Sequence, residues 1–547
     1  MRRILLYSLV LLPAISNAQP ITFQQALNFD SSATEADIIK PTNDGGYVLA
    51  GVTSLGGSSE SFLSKYNSSG EIEWTRIFYD QQSHVSKIGI NDTEIYCNQF
   101  LRFLVTTDDG FLFGGGIDSS VFITYPNGVT VGSDFTKMFA ILTDGNGNLS
   151  WSKKFRASDN TFGEDAIQTS DGNFILAGSV NQTLSVLRDI ILIKIDIPGN
   201  IIWSNSYGGS FDEGIAHLIE VSPVHLMLCG TTESFSNNQD IYALSLDSAG
   251  QLSWSKNYGS TGFDYGKGLV AANEQGYYFF GNAGAGNPSY IALIKTDSAG
   301  TIQWANTYGN FLFDGPQDIF KTIDNKLIIL VNHYSSDYDG LACEVDDAGN
   351  SGSGFLYGKT GNSNNDFITS LLPRENGFLL AGTTNSFSGN QYFNQAYLLQ
   401  THDGLMSDCF YDSVSYSPSS VVLTENSAAT LVTSMDAIDY EMFVTVLDST
   451  LIADTLCFSI ATNVTTLPKP NLTSVFPNPS DDHLTVNSLF PILQINCFNQ
   501  LGEIIFSKEQ HSENNISIQT TELPQGVYLL ETITTEGNYY QQISIVH

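Results

Sequence analysis

The chain has 547 residues, enough for roughly two to four domains, which excludes a single small module. Hydrophobic residues make up 42% and charged residues 14%, with 57 acidic against 22 basic side chains and a net charge of −35. This composition builds hydrophobic cores, which excludes disorder throughout. The excess of acid argues against a surface for nucleic acid or anionic membrane, because such surfaces need clustered Lys and Arg.

The N-terminus has the layout of a secretory signal peptide. Arg2 and Arg3 precede an apolar run from Ile4 to Leu12, and small residues follow up to Ala18. We therefore expect residues 1–18 to be removed on export. Because no later run of about 18 apolar residues exists, the sequence predicts no membrane-spanning segment.

An apolar hexapeptide, usually ending in Gly, recurs along the next 400 residues of the chain. Its copies are Gly46–Gly51, Gly110–Gly115, Asn173–Gly178, His225–Gly230, Gly276–Gly281, Lys326–Val331 and Gly377–Gly382. Their last residues lie 64, 63, 52, 51, 50 and 51 residues apart. A repeat at about this period is typical of propeller blades.

A second signature lies between these copies: Asp or Asn, then Gly three residues later, then Trp four residues after Gly. It occurs at Asn67–Trp74, Asp144–Trp151, Asp196–Trp203, Asp247–Trp254 and Asp297–Trp304, and a degenerate copy at Asp346–Gly349 lacks the Trp. The pattern predicts a hairpin turn in which Asp accepts hydrogen bonds from backbone N–H groups and Gly takes a positive φ.

Each unit of about 51 residues holds four strand signals, so the sequence predicts an all-β fold in which residues 19–410 form a seven-bladed β-propeller, with eight blades as the second choice. Residues 21–27 resemble the fourth strand of a blade. We expect them to pair with residues 395–401, which would complete the last blade and close the ring.

These repeats resemble the Trp-bearing propeller repeats of large secreted bacterial proteins; the closest segments are Gly45–Gly51 and Asp247–Trp254. The resemblance implies the fold and not an activity, since propellers have many unrelated functions.

The repeat stops near residue 410. Residues 411–470 are rich in Ser, Thr and Val, and the sequence leaves open whether they are a linker or a small β-module. Residues 471–547 contain six or seven short strand signals, which indicates a compact antiparallel β-sandwich.

This C-terminal segment resembles the sorting domain of the type IX (Por) secretion system of Gram-negative bacteria. The matching landmarks are Pro477, Asn478, Pro479, Gly502, Gly526, Val527 and Tyr528. The resemblance implies the type IX machinery as a partner, secretion across the outer membrane, and a protein that is anchored at the cell surface or released.

No catalytic motif is present: the sequence has no HExxH, no GxSxG and no dinucleotide-binding loop. We therefore predict no catalytic residue and no cofactor. Acidic residues recur near the first strand of several units, at Glu35, Glu164, Asp165, Glu213, Asp264, Asp318 and Asp366. They are either structural carboxylates that bind the backbone of the adjacent blade, or a ring that could take calcium or a cationic partner.

The two long spacings place about 12 extra residues each near 81–99 and 117–135. We expect these insertions to be loops on neighbouring blades that form one binding surface, because rigid scaffolds often carry binding sites on such loops. The candidate binding residues there are Asn91, Asp92, Tyr96, Phe100, Phe122, Tyr125 and Asp134. Alternatively, the extra residues are insertions that the fold tolerates and that have no role in binding.

The leading hypothesis is a non-enzymatic binding or adhesion protein for an extracellular glycan or protein. The alternatives are a propeller-based hydrolase or lyase acting on extracellular polymers, and a structural role in the cell-surface layer.

Overall fold

The structure is a computed structural model of the chain. It describes residues 21–546 except 30–31, 56–57, 81–92, 108–109, 125–129, 159, 182–186, 274–275, 285–289, 310–313, 335–336, 359–363, 375–376, 388–393, 403, 408–410, 415–416, 450, 461–472, 500–503, 522 and 536. Over these residues the secondary structure is β-strand and turn, without helix. The predicted signal peptide, residues 1–18, lies outside them. The chain divides into two compact units, of which one is Phe23–Cys457 and the other includes Phe458–His547.

The first unit is a seven-bladed propeller, as the repeat predicts. The chain opens with β1 (Ile21–Asn28) and then builds the blades in order. Blade 1 holds β2 (Thr34–Pro41), β3 (Tyr47–Leu55), β4 (Ser58–Tyr66) and β5 (Ile72–Asp80); blade 2 holds β6 (Thr93–Thr106), β7 (Gly110–Thr124), β8 (Thr130–Asp144) and β9 (Leu149–Arg156); blade 3 holds β10 (Thr161–Gln168), β11 (Phe174–Asn181), β12 (Arg188–Ile195) and β13 (Ile201–Gly208).

The remaining blades follow the same plan. Blade 4 holds β14 (Glu213–Ser222), β15 (His225–Thr232), β16 (Asp240–Asp247) and β17 (Leu252–Gly259); blade 5 holds β18 (Tyr265–Ala271), β19 (Tyr277–Ala283), β20 (Tyr290–Thr296) and β21 (Ile302–Tyr308); blade 6 holds β22 (Gly315–Lys321), β23 (Leu327–Tyr334), β24 (Tyr338–Val345) and β25 (Ser351–Tyr357); blade 7 holds β26 (Asp366–Arg374), β27 (Gly377–Thr384) and β28 (Gln395–Gln400). The recurring hexapeptide is the second strand of each blade.

The N-terminal strand completes the last blade, as predicted. β1 pairs antiparallel with β28, with Phe23 opposite Gln400 and Leu27 opposite Ala396. The first strands of all seven blades contact one another in a closed circle, from β2 through β6, β10, β14, β18 and β22 to β26 and back to β2. The hydrophobic core lies between adjacent blades, with one cluster at each of the six interfaces from blades 1 and 2 to blades 6 and 7.

The Trp signature joins each of blades 1 to 5 to the blade that follows it, as blades 3 and 4 illustrate. Gly250 lies in the turn of blade 4 at φ +76°, and a Cβ built on it would come within 2.9 Å of the Trp203 ring and of the Tyr207 hydroxyl in blade 3. The Tyr207 hydroxyl also donates to the Gly250 carbonyl, at 2.7 Å. Asp247 accepts hydrogen bonds from the backbone N–H groups of Ala249 and Gln251, which confirms the predicted turn. Trp, Tyr and Gly of the repeat therefore form one contact between neighbouring blades.

This contact predicts a difference between two glycines of similar φ. Gly250→Ala should lower the melting temperature clearly more than Gly172→Ala, since Gly172 has φ +83° and open space where its Cβ would be. Both variants incur the left-handed backbone cost of about 1–2 kcal/mol, but only Gly250→Ala also forces blades 3 and 4 apart, at about 1–3 kcal/mol more. Equal thermal melts of the two variants would contradict the packing role of the Trp signature.

Residues 411–460 form neither an isolated spacer nor a module of their own. They run around the outside of the propeller as seven strands, which we call the belt: β29 (Tyr411–Val414), β30 (Pro418–Ser420), β31 (Thr424–Ser427), β32 (Leu431–Ser434), β33 (Ile438–Glu441), β34 (Val444–Asp448) and β35 (Ile452–Ile460). Each adds a fifth strand to one blade, in the order blade 6, 5, 4, 3, 2, 1 and 7. The belt thus runs around the whole ring, in the direction opposite to that in which the chain builds the blades.

The belt binds the blades with a seven-residue period. The backbone N–H groups of Val421, Ala428, Met435, Met442 and Ser449 donate to the carbonyls of Ala305, Ser255, Ser204, Ser152 and Thr75, respectively. Each acceptor residue directly follows the Trp of its blade. In three blades the Ser hydroxyl donates back to the carbonyl of the belt residue, at 2.5–2.8 Å. One blade therefore corresponds to seven belt residues.

The C-terminal unit contains β36 (Thr473–Phe476), β37 (His483–Phe498), β38 (Ile504–Gln519), β39 (Gly526–Thr534) and β40 (Gly537–Ile545). They form one antiparallel sheet in the order β36–β37–β39–β40, with β38 also paired to β37. The sheet has its own hydrophobic cluster, which includes Leu484, Ile495 and Leu530, all fully buried. It is compact and antiparallel, as the sequence predicts, but its described residues form five strands, two of them 16 residues long, where the sequence predicts six or seven short ones.

Candidate binding site at the channel mouth

The seven first strands surround the central channel, and each has a β-bulge at the same height. The bulged residues are Asp37, Arg102, Glu164, Ala216, Lys267, Gln317 and Thr369, which we call the bulge row. Bulges re-aim side chains and are common next to functional sites.

Charges of non-adjacent blades interact across this channel. The charge of Lys267 in blade 5 acts on the pKa of Glu164 in blade 3. The charges of Asp318 in blade 6 and Lys40 in blade 1 act on the pKa of His217 in blade 4. Such pairs can meet only through the centre of the ring. The bulge row therefore lines the channel with charges of both signs.

Two residues before each bulged residue lies a second set, which we call the mouth row because it is closest to the end at which the first strands begin. Its members are Glu35, Phe100, Phe162, Gly214, Tyr265, Gly315 and Phe367. Four of the seven are aromatic. Phe100, Phe162 and Phe367 are half-buried, and Tyr265 is 40% exposed.

The aromatic residues of the mouth row are not required by the fold. The same position holds Gly in blades 4 and 6 and Glu35 in blade 1. A side chain that packing needs would be buried, as Ala36 and Ile368 are one residue further along the strand. Partly exposed aromatic rings gathered at one end of a channel are a feature of binding surfaces.

The carboxylates of the channel divide into two groups. Asp165 is structural: its Oδ2 accepts from the backbone N–H of Leu218 in the next blade, at 2.7 Å, and lies 3.1 Å from His217 Nδ1. Burial lowers the pKa of His217, but the Asp165 carboxylate more than offsets this, so the pKa is raised above its ordinary value. Asp165 is therefore one of the structural carboxylates that bind the backbone of the adjacent blade, as the first interpretation of the recurring acidic residues predicts.

Asp37 and Glu164 behave differently, since neither is fixed by a backbone hydrogen bond among the described residues. Burial and the nearby Glu35 charge raise the pKa of Asp37 to about 7, although Arg102 acts to lower it. Burial also raises the pKa of Glu164, against the charges of Arg102, Lys267 and Arg188. These two carboxyl groups change charge closer to neutral pH than ordinary ones.

Among the other recurring acids, Glu35 accepts from the side-chain amide of Asn394 in blade 7, whereas Asp366 accepts from Thr384 within its own blade. Glu213 accepts from the Gly209 N–H at 2.9 Å and the Thr232 hydroxyl at 2.7 Å, and Asp264 accepts from the N–H groups of Ser260 and Gly284. Within the described part of the chain, no group of three or more His, Cys, Asp and Glu side chains is arranged to hold a metal ion.

The described parts of the two insertions, residues 93–99, 117–124 and 130–135, are strands of one blade and not loops on neighbouring blades, which corrects the sequence-based expectation. They lengthen β6, β7 and β8 of blade 2 to 14 or 15 residues. β6 starts seven residues before Phe100, so this extension of blade 2 continues about 23 Å beyond the mouth row. The two insertions do pair with each other, and in that sense they form one surface.

Of the candidate binding residues, Phe100 belongs to the mouth row, whereas Tyr96, Phe122 and Asp134 lie on the extension of blade 2. Tyr96 is opposite Ser120 and Ser120 opposite Asp134, so these positions share one cross-strand row, with Phe122 two residues along β7. Asn91, Asp92 and Tyr125 lie outside the described residues. Sequence reasoning missed Phe162, Tyr265 and Phe367, although aligning the first strands of the repeats would have brought them together.

In the C-terminal unit the landmark residues contribute to one sheet. The Asn478 Oδ1, between Pro477 and Pro479, accepts from the Ser544 N–H of β40 at 2.8 Å. Tyr528 is 6% exposed and its hydroxyl donates to the Pro524 carbonyl, while Gly526 and Val527 begin β39. Gly502 lies outside the described residues. In the described part of the chain, no helix has the length and apolar character needed to cross a bilayer.

Several known proteins are similar to parts of the chain. Solved structures similar to it include a protein of unknown function from Dyadobacter fermentans, with 12% identity and a TM-score of 0.36, covering 71% of this chain and 100% of that one. Another is Sqt1 from Chaetomium thermophilum, with 11% identity and a TM-score of 0.34, covering 66% and 83%. No curated protein matches the sequence. Residues 474–546 match the family described as the secretion system C-terminal sorting domain, and such domains mark proteins secreted across the outer membrane by the type IX system. The chain is therefore a seven-bladed β-propeller carrying a C-terminal sorting domain of the type IX secretion system.

Proposed function

We propose that this exported propeller is a non-enzymatic binding or adhesion protein that takes an extracellular glycan at its channel mouth. The observation that carries the proposal is the mouth row, in which four blades place a partly exposed aromatic side chain at equivalent positions. Aromatic faces provide a large apolar contact area at low entropic cost, and they suit the flat apolar faces of sugar rings.

The extension of blade 2 would form one wall of this site. It rises from the same end of blade 2 that carries Phe100, and Tyr96, Phe122 and Asp134 remain the residues proposed to contact the ligand there. A three-stranded extension with paired backbones positions contact residues at a lower ordering cost than an unpaired loop. The calcium hypothesis has no such support.

A double variant, Phe162→Ala with Tyr265→Ala, tests the proposal. We expect it to lose about tenfold or more in affinity for any glycan that the parent binds on a glycan array, because central aromatic side chains dominate binding energy. Thermal stability should be nearly unchanged, since both rings are partly exposed. The matched control is Ile323→Ala, which removes a fully exposed apolar side chain from the β22–β23 turn, away from the mouth row. Full binding by the double variant would contradict a site at the mouth.

One observation favours a hydrolase or lyase as the second candidate. Asp37 has a pKa of about 7 and lines the channel, so it could serve as a general acid near neutral pH. Turnover of a bound glycan by the parent, lost in Asp37→Asn with binding retained, would favour the enzyme. Binding without turnover supports the binding protein.

A further inference from the structure

Six lysines of the propeller are held in short ion pairs. Lys65, Lys153, Lys154, Lys194, Lys256 and Lys295 each place Nζ within 2.6–2.9 Å of a carboxylate oxygen. Several of these pairs join blades to one another or to the belt, such as Lys154 with Asp80 and Lys256 with Glu425. Their positive charge is therefore already compensated.

Three cations near the mouth are different. Arg102 is 52% exposed, and its Nε lies 3.9 Å from Glu164 Oε2, which is too long for a hydrogen bond. Arg188 places its guanidinium 5.6 Å from the centre of the Phe162 ring. Lys267 is exposed and has no hydrogen bond or ion pair among the described residues.

These three cations converge on one carboxylate. Arg102, Arg188 and Lys267 belong to blades 2, 3 and 5, yet all three charges act on Glu164. Acidic groups are present too, since Asp165 also acts on Glu164 and Glu35 lies in the mouth row, but no carboxylate of the described residues lies within hydrogen-bond distance of the Arg102 or Lys267 side chain. An anionic group can therefore pair with these two cations, whereas most of the remaining surface of a chain of net charge −35 would repel it.

Each cation also lies near an aromatic residue of the mouth row, either along its strand or in space. Arg102 follows Phe100 by two residues, Lys267 follows Tyr265 by two, and Arg188 lies over Phe162. An aromatic face next to a cation matches a sugar ring that bears a negative group. We propose that the mouth binds an acidic glycan, with its sugar rings on Phe100, Phe162 and Tyr265 and its carboxylate or sulfate groups on Arg102, Arg188 and Lys267. This inference rests on the proposed function and names its ligand class.

Calorimetric titration of the full chain with hexagalacturonate and with its fully methyl-esterified form tests the ligand class. The two probes share one sugar skeleton and differ in charge. We expect the acidic hexamer to bind at least tenfold more tightly, with an affinity that falls as salt rises. A sulfated neutral-sugar hexamer from κ-carrageenan separates sulfate from carboxylate, and tight binding of either anion supports the proposal. Equal binding of the esterified hexamer, or tighter binding of hexaglutamate than of either acidic glycan, would overturn it.

The double variant Arg102→Met with Lys267→Met tests the residues. It should lose more than tenfold in affinity for the acidic hexamer, since each exposed ion pair contributes up to about 1 kcal/mol, or fivefold. The control is Lys326→Met, in the β22–β23 turn away from the mouth row, which should bind like the parent. Unchanged binding by the double variant would overturn the assignment.

The pH dependence gives an independent readout at the same site. Asp37 faces Glu35 and Arg102, and with a pKa of about 7 it is mostly ionised at pH 8 and mostly protonated at pH 6. The mouth therefore becomes more positive as the pH falls, while the uronate carboxylates stay ionised. Affinity for hexagalacturonate should rise from pH 8 to pH 6, and this rise should shrink in Asp37→Asn. If neutral glycans bind at the mouth and lose affinity in the Phe162→Ala and Tyr265→Ala variant, the proposed function stands and only the acidic class fails.

Discussion

A chain that ends after residue 410 is expected to melt at least about 10 °C below a chain that ends after residue 460. The shorter chain lacks the belt, so the outermost strand of every blade loses its antiparallel partner. It also loses Met442 and Leu451, each 4% exposed, and the ion pairs of Lys153 with Asp439 and Arg76 with Asp448. Seven uncovered edge strands are in addition sites for aggregation.

Because both truncated chains lack the sorting domain, the difference between their melting temperatures reports the contribution of the belt alone. If the shorter chain does not fold at all, the contribution of the belt to stability can still be measured in the full chain with the triple variant Ser152→Ala, Ser204→Ala, Ser255→Ala. It removes three hydroxyl donors to the belt and should lower the melting temperature by a few degrees, at about 0.5–1.5 kcal/mol per hydrogen bond. Identical melts of the 410 and 460 chains would show that the belt contributes nothing to the stability of the ring.

The second large effect concerns secretion. Replacing Gly526→Pro, Val527→Asp and Tyr528→Asp together should reduce extracellular protein by more than tenfold and leave the chain in the periplasm. β39 lies between β37 and β40, so its loss breaks the central pairing of the sorting sheet, and a charge at position 528 would replace a side chain that is 6% exposed.

Fractionation of cells and medium, with detection of the propeller, measures this effect. Phe162→Ala serves as the control because it leaves the C-terminal unit intact, and it should be secreted like the parent. Since the propeller is a separate compact unit, the periplasmic protein should still be folded and resist protease. Normal delivery of the triple variant would contradict the requirement for the sorting sheet.

The repeat made the propeller predictable. Seven copies of one hexapeptide give the number of second strands, and the likeness of residues 21–27 to a fourth strand gives the closure with β28. The belt was not predictable in the same way. Its strands have only three to nine residues, most of them exposed, and such segments gain their structure from the blade edges rather than from their own pattern.

The site was predictable only in part. Spacing alone reveals extra residues but cannot distinguish two loops from two lengthened strands, so the extension of blade 2 was placed on neighbouring blades. The mouth row was not predicted because its members are far apart in sequence. Only the register of the first strands aligns Phe100, Phe162, Tyr265 and Phe367. The recurring acidic residues indicated the correct strands, the first strand of each blade. However, they included Asp165 and Asp264, which are structural.

The central claim is that the ligand of this exported propeller binds at the channel mouth. A crystal structure of the full chain with hexagalacturonate tests it most directly. The account predicts sugar rings against Phe162 and Tyr265, with carboxylates within about 3 Å of Arg102 or Lys267. Hexamer bound on the belt or at the opposite end of the channel, with an empty mouth, would contradict it.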